Sequence, residues 1–112
     1  MAGVFIGGAI HRTPVVIDGF ISALSALVAA RLCPASTCAM IASHVSAEPA
    51  AKMVLAELDV EPIIHARMRL GEGTGAVCVL PLLDMGLAVY REMVSFDNIG
   101  IEAYTPQGGG IE

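Results

Sequence analysis

Pro14-Val-Val-Ile-Asp-Gly-Phe-Ile-Ser-Ala-Leu-Ser-Ala-Leu-Val-Ala-Ala-Arg-Leu-Cys-Pro34 is the stretch that decides how this chain folds. It opens with Pro14 to Asp18, a short apolar run after a Thr-Pro, which is the pattern of a buried strand. Gly19 ends that strand. Phe20 to Leu32 then carries Phe20, Leu24, Leu27, Val28 and Arg31 at helical spacing. Cys33-Pro34 stops the helix, because a proline pushes the residue before it out of the helical region. Ala39 to Ala42 reads as a second buried strand, followed by Ser43-His-Val-Ser46. The next helix is expected from about Ala47 to Leu58, with Ser46 as its N-cap and Pro49 in its first turn.

Strand, helix, strand, helix is a βαβα unit whose strands run parallel. The fold class expected is therefore α/β, part of a doubly wound parallel sheet ending in a long C-terminal helix. That helix runs from Gly75 to about Ser95 and is kinked at Pro81. Glu61 to Leu70 reads as a loop with a short extended piece. Met1 to Ile10 has helical composition, yet no capping residue precedes it. Two strands are too few for a stable sheet. The chain is thus expected to pair with a copy of itself or to be a piece of a larger domain, and its uncapped start favours the second. Residues 1–101 form the α/β segment in this reading, and 102–112 a flexible Pro- and Gly-rich tail.

Composition narrows the function. Of 112 residues, 55% are apolar and 15% charged, which suffices for one core and excludes disorder. Six basic against eleven acidic side chains give a net charge of −5, and the basic ones are scattered. Without a basic stripe, general nucleic-acid binding is excluded. The best uncharged run, Gly19 to Ala30, falls short of the roughly 18 to 20 residues that span a bilayer, so no membrane segment is expected. The apolar start lacks the basic residues and cleavage pattern of a signal peptide. Cys33, Cys38 and Cys78 are odd in number and at no metal spacing. They read as reduced thiols in a cytoplasm, and no metal site is expected.

In open parallel sheets, ligands bind beyond the carboxyl ends of the strands, which puts Asp18-Gly19 and Ser43 to Ser46 on one rim. Ser46 at a helix start offers a hydroxyl and free amides for a phosphate, or it simply caps its helix. Asp18 either faces a ligand or caps the Gly19 and Phe20 amides. His44 reaches a ligand or is structural. His11 and His65 have no partner pattern. Ser43, His44 and Asp18 do not make a triad, since adjacent residues lack that geometry, and no nucleophile elbow is present.

The sharpest feature is Arg69-Leu-Gly-Glu-Gly-Thr-Gly75, which runs into the last helix. Glycines at alternate positions allow positive φ and let backbone approach a ligand closely. A Glu between two of them is not there for helix propensity. An apolar setting would raise the pKa of Glu72 towards that of a general base. Against this stands a glycine-rich helix start with a solvated Glu favoured by the dipole. The loop is not a Walker A motif, because no Gly-Lys-Ser/Thr follows, and it is not the dinucleotide fingerprint either.

Thr13-Pro-Val-Val-Ile-Asp-Gly-Phe-Ile-Ser22, Ile41-Ala-Ser-His-Val-Ser-Ala-Glu-Pro49 and Met68-Arg-Leu-Gly-Glu-Gly-Thr-Gly-Ala76 together are specific. They closely resemble the C-terminal third of the nicotinate-nucleotide–dimethylbenzimidazole phosphoribosyltransferases, in order and in register from about Met1 to Ile101. The resemblance implies transfer of ribose 5-phosphate from nicotinate mononucleotide to 5,6-dimethylbenzimidazole. The products would be nicotinate and α-ribazole 5′-phosphate, the lower-ligand precursor of cobalamin. By its place in the motif Glu72 would be the base that takes the azole proton. Ser46 would hold the phosphate and Leu70 would form part of the apolar wall. Arg69 would meet a phosphate or carboxylate, with Gly71 and Gly73 allowing close approach, and Asp18 and His44 on the rim.

No cofactor or metal is implied, because nicotinate departs as a neutral ring. Family members are roughly three times this length, and the upstream part supplies further strands, another carboxylate and a Lys. They are homodimers, with a small domain built partly from terminal helices. The expected partners are therefore the two substrates and either a second copy or the upstream part. The alternative reading is a non-catalytic fragment or assembly module that keeps only the phosphate-binding rim. A small independent enzyme acting on another nucleotide is a third.

Overall fold

The computed structural model describes residues 1–94 together with Asn98 and Gly100. The expected tail therefore lies outside the described residues, as does Ser95, the expected end of the last helix. The element order is α1 (Ala2–Ile10), β1 (Val15–Ile17), α2 (Phe20–Leu32), a 3-10 turn (Pro34–Ala39), β2 (Met40–Ala42), α3 (Pro49–Glu57) and α4 (Thr74–Glu92). The chain divides into two compact units, Met1–Leu82 and Leu83–Glu112. Everything that builds the site belongs to the first.

β1 and β2 pair in parallel, Val15 with Met40, Val16 with Ile41 and Ile17 with Ala42, as a strand–helix–strand crossover requires. The extended piece expected within 61–70 lies along the free edge of β2. There the Ile63 and Ile64 amides donate to the Ala42 and Ser43 carbonyls at 3.1 and 2.8 Å, and His44 bridges Ile64 in parallel. Both strands end at the same rim, so the loops that follow them emerge side by side.

The core lies between the sheet and the layer α1–α2–α3, with Phe5, Ile17, Met40, Ala42, Leu55 and Leu58 meeting Ala23, Ala26 and Ala29. This corrects the reading of α2. Its buried face is the alanine row, whereas Leu24 and Val28 are exposed. Alanines three residues apart present almost no side-chain height, so the helix can pack closely; a leucine in their place would overfill the gap. Of the larger apolar residues at helical spacing, Leu27 packs against the core from the side, and Leu24 and Val28 face out.

Two further expectations change. α3 begins at Pro49 with Glu48 as N-cap, so Ser46 caps no helix; its hydroxyl accepts only from the Glu48 amide, at a long 3.4 Å. Proline is preorganised for the first helical position and lacks the amide that would need a partner there, which places the start two residues later than Ala47. α4 runs without interruption through Pro81 for 19 residues, and by length and composition is apolar enough to cross a membrane. The uncharged-run count missed it because Asp84 splits the run, and only Gly75 and Val79 of this helix are buried.

Candidate active site

The loops that follow β1 and β2 meet the loop before α4 around a cleft of about 770 Å³. Asp18, His44, Ser46, Arg69, Gly71 and Glu72 all line it, joined by Glu48 and Met68. Six of the eight residues singled out from sequence are thus brought together. Leu70 and Gly73 do not line the cleft, and Leu70 is 76% exposed.

Glu72 owes its placement to backbone conformation. Gly71, Glu72 and Gly73 have φ of 76°, 57° and 79°, three left-handed residues in succession. The Gly71 carbonyl accepts from both the amide and the hydroxyl of Thr74, and the Gly73 carbonyl accepts from the Val77 amide at 2.9 Å. A turn with two left-handed central residues normally carries Gly, Asn or Asp there. Glutamate at such a position costs roughly 1–2 kcal/mol relative to an ordinary conformation. The carboxylate is exposed, so the apolar setting expected around it is not made by the described residues.

Asp18 is half-buried at the end of β1. Its Oδ1 accepts from the Ala76 amide at 3.0 Å, in the first turn of α4, where the helix dipole favours a negative charge. Neither sequence alternative for Asp18 included this partner, which lies far along the chain. The Asp18 amide itself donates to Ser22 Oγ at 2.9 Å. His44 is buried, with Nδ1 at 3.0 Å from Ser43 Oγ. Ser43 is the interior hub that the sequence did not reveal, since its hydroxyl donates to the Ile17 carbonyl at 2.6 Å and ties the two strand ends together.

A second cleft of about 560 Å³ shares Ser46, Ala47, Glu48 and Arg69 with the first and adds Lys52, His65 and Arg67. Three of the six cations of an acidic chain meet there. Among the described residues, none of the three has a carboxylate within ion-pairing distance; the one ion pair is Arg31 with Glu57. Arg67 itself is left-handed, with φ of 49°, so no strand alternation announces that it shares this cleft with Arg69. Ser46 lines both clefts, as do Glu48 and Arg69, whereas Glu72 lines only the first.

A family model described as phosphoribosyltransferase matches residues 1–101. The chain belongs to this phosphoribosyltransferase family. It is 50% identical over 106 residues to the nicotinate-nucleotide–dimethylbenzimidazole phosphoribosyltransferase of Clostridium acetobutylicum, covering 95% of this chain and 30% of that protein. A relative of the same name from Acetivibrio thermocellus is 48% identical over 107 residues, covering 96% of this chain and 30% of the relative. The crystal structure of CobT from Thermus thermophilus superposes with a TM-score of 0.81 at 34% identity, covering 90% of this chain and 30% of that one. The chain thus spans about 30% of the length of the relatives it matches.

Proposed function

We infer that this chain supplies the proton-accepting side of a phosphoribosyl transfer from nicotinate mononucleotide to 5,6-dimethylbenzimidazole. The observation that carries the reading is Glu72, held between two left-handed glycines in the cleft that Ser46 and Arg69 also line. The azole nitrogen attacks the anomeric carbon from the face opposite nicotinate, and the carbon–nicotinate bond breaks. Its electron pair goes to the pyridine nitrogen, which leaves neutral. The second azole nitrogen loses its proton to the Glu72 carboxylate. Nicotinate and α-ribazole 5′-phosphate result, with inversion. This chemistry asks for no metal or redox group.

Within this reading the phosphate lies where the two clefts join. The Ser46 hydroxyl and Arg69 touch it, and Lys52 and Arg67 add charge from the second cleft. Gly71 and Gly73 let substrate approach the backbone, and Leu70 forms an apolar wall once covered. Covering is expected on two grounds: the exposure of Glu72 and Leu70, and the outward apolar side chains Ile21, Leu24, Val28 and Leu32 of α2. A second copy or the upstream part of a full-length enzyme would supply it. Residues 1–101 act as the C-terminal segment in either case, and the free thiols Cys33, Cys38 and Cys78 suit a cytoplasmic location. The exposure of Glu72 also favours a second reading, a non-catalytic fragment that keeps only the phosphate rim.

Turnover separates the two. The chain would be assayed alone, and together with the Clostridium acetobutylicum relative truncated of its matching segment, following α-ribazole phosphate by mass. Glu72→Gln should cut turnover by about a hundred- to ten-thousand-fold with nucleotide affinity retained. Equal losses of turnover and affinity would refute the base assignment. No product from folded chain in either arrangement would leave the non-catalytic reading.

A further inference from the structure

We propose that Asp18 and His44 are positioning residues which hold the Glu72 turn through the backbone of α4, rather than contacts to the ligand. The proposal rests on Glu72 as the base, and two independent contacts carry it. The first is the Asp18 carboxylate on the Ala76 amide at 3.0 Å. Asp18 is itself fixed, because Ser22 Oγ accepts from its amide and donates to the Gly19 carbonyl at 2.8 Å. The end of β1 and the first turn of α4 are thereby clamped together.

The second contact is steric. Gly75 lies against the His44 ring so closely that a Cβ there would stand 1.9 Å from Nδ1 and 2.3 Å from Cε1. The ring cannot swing freely. Ser43 Oγ gives its single proton to the Ile17 carbonyl, so in the 3.0 Å contact with His44 it accepts, and Nδ1 is the donor. His44 is thus fixed to the end of β2 as a wedge against α4.

Glu72 precedes these anchored residues by three and four positions. The turn between has glycine on both sides of Glu72 and little side-chain packing of its own. Where the carboxylate points is therefore set by where α4 begins, and Asp18 and His44 set that. A displacement of about 1 Å at a reacting group costs on the order of a hundredfold in rate.

Backbone exchange and kinetics together test this. Amide hydrogen exchange at Ala76 in the 112-residue chain should be slow, and Asp18→Ala should speed it by about tenfold or more, with Asp18→Asn between the two. Gly75→Ala should also speed it, and the double variant Gly75→Ala/His44→Ala should restore slow exchange by removing the ring that the new methyl meets. In the complemented turnover assay, Asp18→Ala should lower kcat by about tenfold or more, with KM for the nucleotide within about twofold. Unchanged exchange at Ala76 in Asp18→Ala, or a raised KM with kcat intact, would overturn the proposal in favour of direct ligand contact. Failure of His44→Ala to relieve Gly75→Ala would overturn the wedge. If Glu72→Gln leaves turnover intact while Ala76 still loosens in Asp18→Ala, the clamp stands as structure and the base reading is what fails.

Discussion

The two halves of the first unit are held by different physics. From β1 to β2, the structure is fixed by burial: Ile17, Ala26 and Ala29 are 1%, 0% and 0% exposed, and two parallel strands sit under an alanine-faced helix. From Met68 to Ala76, almost nothing is buried until Gly75, and conformation is set by left-handed backbone, a Gly71–Thr74 turn and the clamp from Asp18. Packed cores resist change by having no alternative arrangement, whereas a glycine-hinged turn is only as precise as its anchors. Placing the candidate base on the second kind of structure allows close approach to substrate. It also makes the site depend on a few polar contacts that the core does not need.

Glu72→Gln should produce the largest separation between the halves. The expected loss of about a hundred- to ten-thousand-fold in turnover corresponds to about 3–5 kcal/mol of barrier, with no loss of folding stability. Ala26→Leu should do the reverse. Forcing a larger side chain into a position with 0% exposure should cost about 1–3 kcal/mol, read as a lower denaturant midpoint at constant slope. An unchanged midpoint would mean that the α2–sheet gap is not close-packed. Ser46→Ala should weaken nucleotide binding by about 1–3 kcal/mol while leaving stability nearly unchanged, because Ser46 caps no helix. A stability loss comparable to that of a missing cap would restore the capping role instead.

The same contrast explains what was legible beforehand. Strand, helix and strand from Pro14 to Ala42 were readable because each is a local apolar pattern, the first two bounded by Gly or Pro, and all three formed within two residues of expectation. Which face of α2 is buried was not readable from large apolar residues, because close packing selects alanine and leaves Leu24 and Val28 outside. The glycine setting of Glu72 was visible because positive φ is a local demand. The partner of Asp18 was not, since Ala76 lies 58 residues away and only the fold brings them together. His44 and Gly75 share that difficulty, for a close approach between distant segments leaves no periodicity behind. Arg67 was missed for a different reason: it was counted in the net charge, but no role was drawn from its place beside Arg69.

Glu72→Gly gives the smallest change in stability and the finest test of the comparison. At φ of 57° a glutamate is strained and a glycine is not, so the substitution should raise folding stability while abolishing turnover. Relief of roughly 1–2 kcal/mol is offset in part by the greater freedom glycine has in the unfolded chain, leaving a gain of about 0.5–1 kcal/mol. Urea unfolding of the two chains at matched slope would read it. A gain would show that the turn keeps glutamate against its conformational preference, as expected where side-chain chemistry rather than stability fixes the residue. A loss would mean that the Glu72 side chain stabilises the rim through contacts of its own, and the turn would then belong with the packed half of the molecule.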